Sequence, residues 1–337
     1  MGEIGMNEKI LAAMNGDIYS AVAAKRLLES GASVLGVTLD LFGGSEFFYR
    51  TSMTNAALGH MRDAKDMANG MRMDHIIINC HKEFEQTVID PLIPLYCRDF
   101  APSPCIVCGR KIIFGLLMNV MNVLGYDKLA TGHFARVEKS GDRYILKKAK
   151  ELRYDQTHSL YMLTQDKLAH CAFPLGSLSS EEIMNTALAN GFFEISRKSE
   201  HRFCFASGDD CAYYFKNFEK RKAFLEDPDY SVFPRDLLPT PETRLRTADI
   251  FPEVTGELSV SAVFAENINF IPFDTLSSPM SVNVKFGSGC MYFPAIAEQT
   301  AKDEFHLEFF SLLPKLKKGQ SVILYDGEIV IGGGTVK

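Results

Sequence analysis

The sequence predicts a parallel α/β domain over 1–198, a connector over 199–257 and a small antiparallel β-barrel over 258–337. Three observations carry that prediction. Lys9 to Leu39 reads as strand, turn, helix, strand, and such a βαβ unit requires a parallel sheet. From Leu258 onward the apolar pattern changes to short alternating runs, the period of strands. Near the end, Asp326-Gly327 separates two apolar runs, which signals an antiparallel hairpin. A chain of 337 residues accommodates two or three such units. Its 46% hydrophobic and 23% charged content supplies an ordinary core.

Lys9 to Met14 is expected as a buried strand and Asn15-Gly16-Asp17 as a turn. Ile18 to Ser30 carries helical spacing, with Val22, Leu27 and Leu28 apolar against Lys25, Arg26 and Glu29, and Gly31 ends it. Ser33 to Leu39 is the next strand. In parallel sheets ligands sit at the carboxyl ends of the strands against the first helix N-terminus. The loop Met14 to Ser20 is therefore the default phosphate site. Gly43 to Leu58 reads as a loop, Met61 to Met71 as a helix and His75 to Cys80 as a strand. Phe84 to Tyr96 reads as a helix broken near Pro91 and Pro94. Phe114 to Leu124 is helical, and Asp127 to Thr131 is a strand that places Gly132 and His133 at its carboxyl end.

Arg136, Lys139, Arg143, Lys147, Lys148, Lys150 and Arg153 then outnumber Glu138, Asp142 and Glu151. That strip is either a solvated hairpin face or a phosphate-contacting surface. Ser179 and Glu182 form a capping box for a helix that Gly191 closes. Tyr213 to Glu253 is rich in charge, Pro and Phe without periodicity, as a connector would be. Met280 to Phe286, Phe305 to Phe309, Ser321 to Tyr325 and Glu328 to Ile331 read as barrel strands.

A net charge of −6 excludes a globally basic nucleic-acid binder and leaves room for a local basic patch. No apolar run is expected to span a membrane, and the N-terminus has neither the basic start nor the apolar core of a signal peptide. A cytoplasmic protein is expected, in which eight cysteines do not make a disulfide scaffold. Two of them, Cys105 and Cys108, follow Pro102 and Pro104 in a C-x-x-C. The prolines hold their predecessors extended, and Gly109 is expected to turn the chain into a helix. A thiol at a helix N-terminus is favoured as thiolate. Spacing alone leaves a reactive pair, a zinc knuckle and a buried pair open. Cys80, Cys97, Cys171, Cys211 and Cys290 have no motif around them and read as small apolar core residues.

Taken in order, Pro102-x-Pro-Cys-x-x-Cys108, Ala130-Thr-Gly-His-Phe-Ala-Arg136, Asp155-Gln156, Phe173-Pro-Leu-Gly176, Cys204-Phe205, Gly319-Gln-Ser-Val-x-x-Tyr-Asp-Gly327 and Gly332-Gly-Gly334 resemble the tRNA-specific 2-thiouridylases. These are ATP-pyrophosphatase enzymes, with an adenine nucleotide alpha hydrolase-like fold, that place sulfur on the wobble uridine. The resemblance implies ATP with magnesium, tRNA as partner, and a sulfur-donor protein or sulfide, with no membrane. It places the persulfide on Cys204 and the assisting thiol on Cys108. Ser103, Pro104 and Cys105 match the loop that holds the target base. Tyr154, Asp155, Gln156, Lys285, Phe286 and Gln320 match tRNA-contacting positions, as does His133. Ala13, Met14, Asn15, Gly16, Ser20, Leu39 and Gly132 match the nucleotide side. Cys105 stands where many members carry Asp, and members with Cys there look like iron–sulfur enzymes, which makes Cys105, Cys108 and Cys204 a three-thiolate set for a [4Fe–4S] cluster.

The sequence also departs from the family. The phosphate loop reads Ser-Gly-Gly-x-Asp-Ser in the family and Asn15-Gly-Asp-Ile-Tyr-Ser20 here. Asp17 brings a carboxylate where backbone amides would close on pyrophosphate, and Tyr19 replaces an acid expected near magnesium. Arg202 replaces a glycine before Cys204, and the family's central domain is reduced between Phe218 and Leu258. The readings are thus an active tRNA sulfur transferase, a diverged paralogue that binds RNA or carries sulfur or iron–sulfur without ATP hydrolysis, and a protein with only a structural metal at Cys105 and Cys108.

Overall fold

The computed structural model describes residues 5, 7–41, 52–97, 103–195, 258–287 and 291–337. Cys204, Arg202, Cys211, Cys290 and the connector expected over 199–257 lie outside the described residues. In chain order the first part contains β1 (Lys9–Ala13), α1 (Ile18–Glu29), β2 (Ser33–Asp40), α2 (Ser52–Gly70), β3 (His75–Asn79), α3 (His81–Phe84) and α4 (Asp90–Cys97). It continues with α5 (Pro104–Cys108), α6 (Leu117–Leu124), β4 (Lys128–Ala130), β5 (Ala135–Ser140), β6 (Arg143–Lys148), α7 (Gln165–Ala169), β7 (Cys171–Ala172), α8 (Ser180–Ala189) and α9 (Phe192–Ile195). Five of these strands form a parallel sheet in the order β3-β2-β1-β4-β7. Strand order reverses beside β1, so the crevice between the ends of β1 and β4 is the ligand position such sheets provide.

Both faces of this sheet are covered, because successive residues of a strand point to opposite sides. Ile10 packs with Val22, Leu27, Met67 and Phe134. Its neighbour Leu11 packs with Phe114, Leu117, Met121 and Tyr161 on the other face. Six further strands, β8 (Leu258–Phe270), β9 (Met280–Phe286), β10 (Phe293–Ala301), β11 (Glu304–Pro314), β12 (Ser321–Asp326) and β13 (Ile329–Val336), run β12-β9-β10-β11-β8-β13 and close through β12–β13. This is the expected antiparallel barrel, with Phe270, Val284, Phe305, Leu307 and Leu324 inside. The β5–β6 hairpin belongs by sequence to the first part of the chain, yet it extends the barrel sheet through Ile329 opposite Lys147.

The seam between the two parts is polar and tight. Tyr161 donates its hydroxyl to the Gly334 carbonyl at 3.0 Å. Asn269 donates to the carbonyls of Tyr161 at 2.7 Å and Leu163 at 3.2 Å. Gly333 is glycine because a Cβ there would lie 2.2 Å from the Val322 carbonyl oxygen and 2.8 Å from the Tyr161 ring.

Several local expectations are corrected. Residues 52–58 are helical rather than loop, as the start of α2. Gly109 has helical angles (φ −52, ψ −53), so the chain does not turn there. Helix geometry begins at Pro104 and runs through a π-helical stretch, Gly109–Leu116, into α6. Pro104 tolerates the first turn because its missing N–H would have no partner there. The resulting helix Pro104–Leu124, 21 residues, is long and apolar enough to cross a membrane by composition, contrary to expectation. Its Ile106, Ile112, Phe114, Leu117, Met118 and Met121 are buried in the protein, as in a core helix. The break expected near Pro91 takes the form of a π-helical segment, Glu85–Ile89, just before it. Proline cannot supply the N–H for the next α-type bond, and the ladder shifts register instead.

Candidate functional site

The first βα loop closes on itself. Asp17 is the N-cap of α1, and its Oδ1 accepts from the Ser20 amide at 2.7 Å. Its Oδ2 accepts from Asn15 Nδ2 at 2.9 Å. Ser20 is buried, with its hydroxyl donating to the Asp17 carbonyl at 3.1 Å. Gly16 sits at φ +80, and a Cβ there would fall 2.3 Å from the His60 carbonyl oxygen. Thr38 donates to the Met14 carbonyl at 2.8 Å and pins the loop to β2. A carboxylate therefore occupies the α1 amide that an incoming phosphate oxygen would use. Gly132 closes the opposite side, where a Cβ would lie 3.2 Å from the Ser20 nitrogen.

The thiol pair sits on the neighbouring element. Ser103 is the extended N-cap of α5, Pro104 is buried, and Cys105 and Cys108 are half-buried. Three residues apart on a helix, the two thiols share one face. Farther along the same helix, Phe114 packs against His133, with ring centroids 5.9 Å apart. Six residues of helix separate Cys108 from Phe114, an axial distance of at most about 9 Å. The thiols and the carboxyl end of β4 thus share one side of the molecule. Burial pushes the His133 pKa down to about 4, opposed by the charge of Asp17, so the ring is neutral at pH 7. Thr131 Oγ1 lies 2.8 Å from its Nδ1.

From His133 the polar groups continue into the seam. The His158 pKa is pushed down to about 3 by burial, then by the positive charge of Lys285, with a smaller push from His133. Asp155 is buried and accepts from the Ala149 amide at 3.0 Å and Thr157 Oγ1 at 2.7 Å. Thr157 in turn lies 3.1 Å from the Tyr325 hydroxyl on β12. Lys148 points inward, its Nζ 4.0 Å from the Tyr292 ring centre and 4.4 Å from that of Tyr325. Burial lowers the Lys148 pKa, Asp155 opposes that, and Lys285 adds to it.

The basic strip resolves differently from a uniform phosphate surface. Arg136 pairs with Glu328 at 3.0 Å, Lys147 with Glu138 at 2.5 Å, Arg143 with Asp274 at 3.0 Å, and Lys150 with Glu182 at 3.8 Å. Those four cations are held on the surface, and Lys148 is the member turned into the seam.

Of the sequence-predicted residues, the structure gathers Met14, Asn15, Gly16, Ser20 and Gly132 around the α1 N-terminus, with Ala13 and Leu39 at the ends of adjacent strands. Gln156 accepts from the Phe134 amide at 2.9 Å, which ties it to the His133 loop, and Tyr154 packs on Phe134 with centroids 5.4 Å apart. Lys285 and Gln320 are buried in the barrel wall, and Phe286 belongs to the barrel core. Cys80 and Cys171 are buried, and burial raises both thiols, Cys80 to about 12. Among the described residues no group of three His, Cys, Asp or Glu side chains stands close enough to hold a metal. Sequence reasoning missed Thr157, His158, Tyr292 and Tyr325 as seam residues. Nothing in the alternation around Tyr292 marks it, because its neighbours across the seam come from a strand about 140 residues earlier.

The chain is similar to known proteins along its whole length. A family model described as tRNA methyl transferase HUP domain matches residues 8–208, and one described as aminomethyltransferase beta-barrel domain matches residues 260–336. The tRNA-specific 2-thiouridylase MnmA of Clostridium kluyveri is 32% identical over 98% of this chain and 99% of its own. The protein of the same name from Clostridioides difficile is 31% identical, again over 98% of this chain and 99% of its own.

Proposed function

This chain belongs to the tRNA-specific 2-thiouridylase family, and on that premise we propose that it binds tRNA in the cytoplasm and transfers sulfur to a uridine through Cys108 and Cys204. The observation that carries the reading is the half-buried thiol pair on a helix that packs against His133 at the carboxyl end of β4. Ser103, Pro104 and Cys105 would border the base. Cys204 would hold a persulfide, formed when its thiolate attacks the outer sulfur of a donor protein's persulfide and the donor thiolate leaves. Its outer sulfur bonds to C2 of the base while the Cys108 thiolate attacks the inner sulfur. The S–S electron pair goes to the transferred sulfur, and a Cys108–Cys204 disulfide remains for a thiol reductant to reopen.

Departure of the base oxygen requires its prior adenylation by ATP, so that it leaves with AMP, as the resemblance to the family implies. The first βα loop does not fit a polyphosphate, because the Asp17 carboxylate holds the Ser20 amide and would repel it. No step is routed through that loop. Cys204, the third member of the expected thiolate set, lies outside the described residues, and no step is routed through a cluster.

The Asp17 geometry favours a second reading, a diverged paralogue that binds tRNA and carries sulfur or iron–sulfur without hydrolysing ATP. One assay separates the two. Reduced protein, unmodified tRNA and a sulfur donor are incubated with and without ATP, and the nucleosides are analysed by mass spectrometry. Transfer predicts 2-thiouridine from wild type and none from Cys108→Ser or Cys204→Ser, with both variants folded by thermal melt. No thiolated nucleoside from wild type, with a working relative alongside, rejects transfer and leaves the carrier reading.

A further inference from the structure

We propose that a groove along the helix Pro104–Leu124 docks an acidic, apolar-faced segment of the protein that supplies sulfur to the thiols. The inference rests on the sulfur-handling reading above and gives its donor protein a place to bind. Its lining residues lie outside the site already described. The groove holds about 650 Å³ and is shared by that helix, Glu83 of α3 and Lys167 of α7. Leu116, Val120 and Val123 form its apolar wall. They fall at i, i+4 and i+7, which is one stripe of a helix. Leu117, Met118 and Met121, on the opposite side, are buried in the core, whereas Val123 is 86% exposed.

Charge complementarity sets the chemistry of the occupant. Arg110, Lys111 and Lys167 line the groove against one carboxylate, Glu83. Among the described residues Arg110 and Lys111 make no ion pair, unlike Arg136, Arg143, Lys147 and Lys150 of the basic strip. Lys167 Nζ donates to the Arg110 carbonyl at 3.2 Å, which keeps two of the cations together. Burial lowers the Lys167 pKa and the charges of Arg110 and Lys111 lower it further, a repulsion that an arriving carboxylate relieves. An apolar stripe rimmed by cations fits an amphipathic helix that carries Asp and Glu beside its apolar face. RNA fits it less well. Grooves for single strands combine cations with aromatic rings for stacking, and among the described residues no aromatic side chain lines this one. Position identifies the partner. Lys111 is three residues beyond Cys108 on the same helix, at most about 4.5 Å along its axis. A protein seated in the groove stands beside the thiol pair, where the chemistry proposed above brings the carrier of the donor persulfide.

The test follows radiolabelled sulfur onto the full-length protein from two donors. One is a cysteine desulfurase carrying a protein persulfide, and the other is glutathione persulfide, which reaches a thiol without docking. Label that dithiothreitol removes reports a persulfide on this chain. Lys111→Glu and Val123→Asp are each expected to slow loading from the desulfurase by about 5- to 20-fold and to leave loading from glutathione persulfide within about twofold. Lys111→Arg keeps the charge and is expected to load like wild type. Lys111 and Val123 are exposed, so the fold stands, and melting curves check it. Desulfurase loading unchanged in either acidic variant, or slowed equally with both donors, overturns the docking surface. Should Lys111→Glu instead weaken binding of a tRNA stem-loop, the groove is an RNA contact. A wild type loaded by glutathione persulfide and not by the desulfurase also overturns docking. A wild type loaded by neither overturns the sulfur-handling reading with it. One that is loaded through the groove yet thiolates no tRNA keeps the docking surface and rejects only transfer.

Discussion

His133 and His158 are neutral at pH 7. Burial holds their pKa values near about 4 and about 3, against an ordinary value of 6.5. Below pH 6.5 the unfolded chain takes up protons that the native chain refuses, so stability falls as pH drops from 6.5 toward 4. Above 6.5 both states are unprotonated and the contribution vanishes. Each ring costs about 3 kcal/mol by pH 4. Replacement of His158 by Gln is expected to flatten that decline by roughly its share, read as the urea midpoint at pH 7 and pH 4.5. An unchanged pH slope in the variant would show that His158 titrates freely. The placing of His133 at the end of a strand is legible in the sequence. The neutrality of both rings is not, because it depends on Phe114, Phe173 and Lys285, which arrive from other elements.

At the scale of elements, α1 is the informative one. Its span is readable from apolar spacing and from Gly31, just as the Ser179–Glu182 capping box of α8 is readable from two residues. What spacing does not show is that Asp17 serves as N-cap and so takes the amide a phosphate would need. Asp17→Ala is expected to cost about 1 kcal/mol in urea unfolding, and Asp17→Gly only a few tenths. The glycine variant also removes the repelling carboxylate, so calorimetry with ATP and magnesium should show tighter binding than wild type. Micromolar binding of ATP by the wild type would overturn this account of the loop. The helix Pro104–Leu124 teaches the same lesson in the other direction. Its apolar face is in the sequence, yet its start at Pro104 and its π-helical middle come from packing against the sheet, which moves both thiols from a loop onto a helix.

At the scale of the whole molecule, the barrel and the parallel-sheet domain share one seam, held by Tyr161, Asn269 and the three glycines of β13. Gly333→Ala is expected to destabilise by about 1–3 kcal/mol, because its Cβ meets backbone on one side and the Tyr161 ring on the other. Tyr161→Phe removes one buried hydrogen bond and should cost about 1 kcal/mol. Both should shift the unfolding of the two parts together, and separate transitions would show that the seam does not couple them. The sequence by itself determined the parallel sheet, the closed barrel and the family, because apolar period, turn residues and short motifs are local properties that survive without coordinates. Tertiary structure alone decided which cations are spent in ion pairs, that Lys148 turns inward to Tyr292, and that Asp17 fills the loop. Those outcomes depend on which distant side chains meet, and the burial and charge that follow from such meetings have no signature along the chain.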